Sequence, residues 1–175
     1  IFTMLCSIVL GMGVPTTANY IIQATISAPA LVALGVPKLA AHMFVFYFGI
    51  VADITPPVAL AAFAGSGIAG SNPMKTGFTA TRLGIAAYIV PYMFVLNPIL
   101  VLVNVNNLST GVFVLMAIKA VVTAFIGMVG LASGSSGFFK APCNLLERIV
   151  LIASGLLLID PGTLTDIAGI GIILL

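Results

Sequence analysis

Charge is what this chain lacks most. Its 175 residues hold six Lys or Arg, four Asp or Glu and one His, so that 6% are charged against 61% hydrophobic. A soluble domain carries about a quarter charged residues. Too few charges remain here to coat a surface facing water, and the mean hydropathy of +1.29 makes a bilayer the expected solvent. The net charge of +2 rests on few groups. With no basic run and no base-stacking motif, nucleic-acid binding is set aside. Tryptophan is absent, which leaves Tyr and Phe for aromatic belts at the membrane interfaces. Cys6 and Cys143 have no CxxC spacing and only one histidine accompanies them, so no zinc site is expected. No GxSxG, HExxH, Walker or phosphate-loop motif occurs, and Gly11 and Gly13 lack the rest of a dinucleotide fingerprint.

What the chain does have is long apolar runs, two of them interrupted by proline and glycine. One break is Gly11-Met12-Gly13-Val14-Pro15-Thr16-Thr17-Ala18-Asn19, and the other is Asp53-Ile54-Thr55-Pro56-Pro57-Val58-Ala59. The apolar arms around the first, 1–14 and 20–34, are each roughly 21 Å long as helices. A bilayer core of roughly 30 Å needs about 20 residues, so neither arm spans alone. A re-entrant hairpin with its tip at 15–19 and a single unwound span both fit; the hairpin is the expected form. Residues 35–38 read as a turn, 39–70 as a helix broken at 53–57, and 71–76 as an exposed loop. Residues 77–103 are long enough to span, bent by Pro91 and Pro98. Asn104–Asn107 is a polar loop, 111–133 a further span and 134–147 a Gly/Ser loop. Residues 148–159 form a shorter apolar segment closed by Asp160-Pro161-Gly162, and 164–175 begin another. The chain opens and closes inside apolar runs, so it is expected to be a piece of a longer membrane protein. Its few Lys and Arg do not assign an orientation.

Polar backbone at membrane depth is tolerated only where it is buried in protein or lines a cavity. Broken helices of this kind form the midplane sites of secondary transporters. The first break offers hydroxyl and amide oxygens from Thr16, Thr17 and Asn19, and Gly13 lets the backbone bend and expose its carbonyls. A small hard cation wants several such oxygens. The alternative is a proline kink with Thr bonded back to its own helix. At the second break, Pro56 and Pro57 remove two donors in succession, so the carbonyls near Ala52, Asp53 and Ile54 must be met by protein, water or an ion, with Thr55 beside them. Asp53, the only acid before Glu147, neutralises a cation, relays a proton or caps the half-helix that follows. Ser66, between Gly65 and Gly67, lines a substrate pocket or simply allows close packing. His42 reads more readily as a packed residue than as a ligand.

These residues carry a family resemblance. The run from Gly11 to Ile21 resembles the second-half hairpin of the large permease subunit of TRAP transporters. Ala40-Ala41-His42-Met43-Phe44-Val45-Phe46-Tyr47-Phe48, followed by Asp53 to Phe63, is similar to the TAXI branch, whose permeases are fused 4TM/12TM chains. The match continues from Gly67 to Gly77 and at Leu145-Leu146-Glu147-Arg148. It covers almost the whole chain, most strongly 11–100.

The resemblance implies an all-α, polytopic membrane fold built of inverted repeats, of which this chain holds the second half only. Residues 1–103 would be transport-domain-like: a re-entrant hairpin (1–34), a broken helix (39–70) and a helix (77–103). Residues 104–175 would be C-terminal transmembrane helices. It further implies a non-enzymatic permease of a bacterial or archaeal cytoplasmic membrane. Such a permease imports organic acids delivered by an extracytoplasmic solute-binding protein, with Na+ as the coupling ion and no other cofactor. Gly13, Thr16, Thr17, Asn19, Thr55 and Pro56 would form a Na+ site, and Asn19, Thr55 and Ser66 would contact substrate. A binding-protein-independent sodium/dicarboxylate carrier is the alternative. A membrane-embedded enzyme using Asp53 and His42 lacks a second acid or a metal-ligand set.

Overall fold

The computed structural model describes residues 1–105, 107–160 and 162–173. Asn106 of the polar loop, Pro161 of the closing turn and the last two residues of the final apolar segment lie outside this set. Among the described residues the regular structure is helical apart from a short antiparallel ladder, Phe138–Phe139 with Ala141–Pro142. It divides into two units, residues 1–95 and residues 96 onward.

In the first unit, α1 (Phe2–Gly11) stops where Met12 turns extended and Gly13 takes φ +76°, a region open to glycine at no steric cost. α2 (Thr16–Ala33) starts directly behind Pro15, which sits at φ −53° in the N-cap place. Proline is tolerated there because the first N–H groups of a helix have no partner inside it. The break is therefore 12–15 rather than 15–19, and Thr16, Thr17 and Asn19 belong to the first turn of α2. The chain then folds back on itself. Asn19 lies against Gly11, Gln23 bonds Ser7 and Ser27 lies 3.9 Å from Cys6, so later residues of α2 meet earlier residues of α1 and the arms are antiparallel.

α3 (Lys38–Val51) packs on both arms, burying Ala41, Phe44, Val45 and Phe48 against Ile8, Ala28 and Leu31. Tyr92 closes this core with its ring edge-on, 5.3 Å from Phe44 and 5.8 Å from Phe48. After a single 3-10 turn, Ala52–Ile54, the chain is irregular until α4 (Leu60–Ala69). The loop expected at 71–76 is short. α5 (Pro73–Leu83) already begins at Pro73, and Asn72 caps it by accepting from the Lys75 N–H at 3.1 Å. The span expected over 77–103 is not one helix. It breaks at Gly84, a 3-10 turn follows over Ile85–Tyr88 and leads into α6 (Val90–Leu96), and the piece Ile85–Leu96 departs at 65° to α5. Ile54 approaches closely at this point, so that only glycine fits: a Cβ on Gly84 would stand 2.7 Å from Ile54 Cδ1. Pro91 and Pro98 each open a new short helical piece instead of bending a continuous one.

In the second unit, α7 (Thr110–Ser136) is, among the described residues, the one unbroken helix long and apolar enough to cross a membrane. The loop expected from 134 starts three residues later, at Gly137, whose φ of +78° ends the helix. α8 (Leu145–Ile159) opens on a capping box between Asn144 and Glu147, and Arg148 donates to the Gly134 and Ser135 carbonyls at the end of α7. Glycines let these backbones touch: a Cβ on Gly127 would stand 2.9 Å from the Gly155 carbonyl. α9 (Thr163–Ile173) returns along α8, and Asp166 neutralises Lys119 of α7 at 2.8 Å. An intramembrane lysine without such a partner is costly.

Candidate ion and substrate site

The two breaks meet. Gly11, the last residue of α1, has no room for a side chain, because a Cβ there would lie 2.8 Å from Asn19 Nδ2, 2.9 Å from the Ala52 methyl and 3.1 Å from the Gly49 carbonyl. Gly49, in the last turn of α3, is pressed against the same Asn19 amide. Gly13 faces Val58 across the gap, 3.8 Å from its would-be Cβ. The carbonyl ends of α1 and α3 thus lie side by side. α2 and α4 start on the far sides of the same two breaks. Helix C-termini carry a partial negative charge and N-termini a partial positive one.

The orphaned carbonyls of the second break are largely met by protein. Thr55 Oγ1 donates to the Val51 carbonyl at 2.7 Å and is paired with Tyr88 Oη at 2.6 Å. The Thr55 N–H bonds the Ala52 carbonyl at 3.1 Å, and Thr81 Oγ1 donates to the Ile54 carbonyl at 2.9 Å. A hydroxyl has two lone pairs and one proton. With its proton on Val51 and one lone pair accepting from Tyr88, Thr55 keeps one lone pair for a ligand. Pro56 and Pro57 are joined by a cis peptide bond, and Pro56 packs 3.2 Å from where a Cβ on Gly77 of α5 would be. Ala59 is fully buried at φ +37°, a left-handed conformation that costs an L-residue about 1–2 kcal/mol. The packed surroundings hold the break in a defined shape.

Asp53 is not the cap of the following helix. α4 begins at Leu60, its N-cap is Ala59, and no side chain caps it. The turn over Thr55–Val58 separates Asp53 from the helix start, so a short carboxylate cannot serve α4. Thr16 and Thr17 are exposed and Asn19 is buried. Ser66 is buried, and its hydroxyl donates to its own helix at the Phe63 carbonyl, 2.7 Å away. His42 Nδ1 is 3.1 Å from Tyr20 Oη, and the two rings meet edge-on.

Three residues of this region escape a reading of the two breaks alone. Gln23 lies one turn beyond Asn19 on the same face of α2, donating to Asn19 Oδ1 at 2.6 Å and to the Ser7 carbonyl at 3.1 Å. The spacing Asn19, Gln23, Ser27 is the visible signal, since residues four apart share a helix face. Tyr88 and Thr81 reach the second break from 33 and 27 residues away, and nothing local marks them.

An all-helical chain, apolar throughout, whose helices break and meet at a polar point has the form of a membrane permease. The sequence profile of the DctM component of tripartite ATP-independent periplasmic transporters matches residues 1–109. The chain belongs to that family, a membrane transport component and not an enzyme. No curated protein and no solved structure matches it.

Proposed function

We propose that this chain carries half of the translocation site of a sodium-coupled permease of the TAXI type, importing organic acids handed over by an extracytoplasmic binding protein. The meeting of the two breaks carries the reading. The carbonyl ends of α1 and α3 favour a cation, and the Gly13 and Pro56 carbonyls, the Thr16 and Thr17 hydroxyls, the Asn19 carboxamide and the Thr55 hydroxyl supply neutral oxygens for sodium. The N-terminal ends of α2 and α4 favour an organic anion, with Asn19, Thr55 and Ser66 nearest to it. The α1–α2 hairpin is then re-entrant, with its tip at the site. A partner half of the permease completes the substrate contacts.

Sodium binding tests this without knowledge of the acid transported. In the purified full-length permease, Thr16→Val and Thr17→Val keep the shape and remove one oxygen each. At least one is expected to raise the concentration of 22Na+ needed for half-saturation by about tenfold, the effect of roughly 1.4 kcal/mol from one lost ligand. Unaltered 22Na+ binding in both variants, with normal thermal stability, would leave these threonines as plain helix-start residues. Asp53→Asn is a separate probe. Since Asp53 does not cap α4, the change removes only a charge within one turn of Thr55, and half-saturation is expected to rise several-fold through lost long-range attraction. Identical binding curves would show that the carboxylate does not act on the ion.

A further inference from the structure

The charged residues of the second unit gather at the two ends of one helical stretch. Asp166, buried in the first turn of α9, takes one hydrogen of Lys119 Nζ at 2.8 Å. From Lys119 to Ser136, α7 runs roughly 27 Å, close to the roughly 30 Å of a bilayer core. At the far end Arg148 binds the Gly134 and Ser135 carbonyls. Lys119 thus stands at the edge of the apolar layer. There, between α7, the turn from α8 to α9 and the 3-10 turn Pro98–Val101, lies a cleft of about 260 Å³. Asn97, Lys119, Asp160 and Asp166 line it together with Leu100 and Met116. A second hollow of about 250 Å³ follows along α7, its lining wholly apolar, with Ile126, Gly130 and Leu151 among it. Ile126 and Gly130 stand seven and eleven residues past Lys119, on its face of the helix.

The charges of the cleft do not balance. An ammonium has three hydrogens. Asp166 takes one, and Lys119, half exposed, keeps two. Asp160 is exposed, and among the described residues no cation pairs with its carboxylate. A lone cation would meet Asp160 and leave the Lys119 hydrogens unused. A phosphate alone would meet Lys119 but stand among two carboxylates. A group that carries both a phosphate and a primary ammonium serves the two sides at once. We infer that the cleft binds the phosphoethanolamine headgroup of a membrane phospholipid, with one acyl chain in the hollow along Ile126 and Gly130. The phosphate accepts from Lys119 and the ammonium donates to Asp160, both of them charge-assisted bonds. This seat lies wholly in the second unit and is independent of the sodium coupling proposed above.

The test uses the full-length permease, purified and stripped of lipid. It is titrated in mixed micelles with radiolabelled dioleoyl phosphatidylethanolamine, in competition with phosphatidylglycerol and phosphatidylcholine of the same acyl chains. Choline has no N–H to donate, and glycerol carries no charge. Wild type is expected to prefer phosphatidylethanolamine about tenfold over either, the worth of one charge-assisted hydrogen bond. Asp160→Asn, at an exposed position, is expected to abolish that preference. Ile126→Trp fills the apolar hollow and is expected to weaken all three lipids alike. Melting temperatures equal to wild type in lipid-free detergent establish that the variants fold. Should Ile126→Trp not fold, Asp160→Asn decides by itself. Equal affinity of wild type for the three lipids would reduce the cleft to ordinary contact with the bilayer, and no binding at all would mean that protein covers it. Either result, or a preference kept by Asp160→Asn, overturns the site.

Discussion

Replacing Gly49 by alanine is expected to abolish transport by the full-length permease. A single methyl there runs into the Asn19 carboxamide and comes within 3.2 Å of Gln23 Nε2 and 3.3 Å of Asn19 Cγ. None of these can retreat. Asn19 is held by Gln23, Gln23 by the Ser7 carbonyl of the other hairpin arm, and Gly11 closes the opposite side. Overpacking of a filled interior costs about 1–3 kcal/mol. Relief comes by moving α2 off α3, which parts the first break from the second. Expected results are loss of sodium-dependent uptake in proteoliposomes to near background and a melting point lowered by several degrees. Gly67→Ala is the control. A Cβ on Gly67 meets nothing within 4 Å, and exchanging glycine for alanine inside a helix stabilises by roughly 0.5–1 kcal/mol. Wild-type uptake by Gly49→Ala would show that the two breaks need not touch.

The breaks themselves were legible because proline and glycine act through backbone geometry that needs no partner. Pro15 and Gly13 mark the end of one helix and the start of the next, whatever surrounds them. The exact place of the break was less legible. Thr16, Thr17 and Asn19 read as part of an unwound polar segment, but proline in the N-cap place preorganises the next residues for helix, so they wind. The same rule places the start of α5 at Pro73. Asp53 misled for a related reason. Asp shortly ahead of a proline-opened segment suits a helix start, yet two prolines and a left-handed Ala59 delay α4 to Leu60. Gly84 could not be foreseen as the place of the bend, since the residue that requires glycine there, Ile54, lies thirty residues earlier. Tyr88 and Thr81 were hidden in the same way. They act on the second break only after α5 and the turn behind it fold back, and sequence spacing holds no trace of that return.

Gly155→Leu is expected to be the most destabilising single change in the second unit. A Cβ on Gly155 would stand 2.6 Å from the Gly127 carbonyl, 2.8 Å from Leu131 Cγ and 2.9 Å from the Leu131 backbone nitrogen. From the other side, a Cβ on Gly127 meets the Gly155 carbonyl at 2.9 Å and Leu158 Cβ at 3.0 Å. Three of these five obstacles are backbone, which cannot rotate aside as a side chain can. Lipid tails are as apolar as leucine, so contact between membrane helices rests on close van der Waals packing, and small residues permit it. Leucine at 155 forces α7 and α8 apart along the face they share. It also strains Arg148, which reaches from α8 to the Gly134 and Ser135 carbonyls. A loss of at least about 3 kcal/mol is expected, the upper range for overpacking. It would appear as a large drop in the temperature at which the detergent-purified permease aggregates. Gly127→Leu should match it, and the double variant should be little worse than either alone, because both changes spoil one contact and their effects do not add. Fully additive losses would mean that α7 and α8 do not meet at these two glycines.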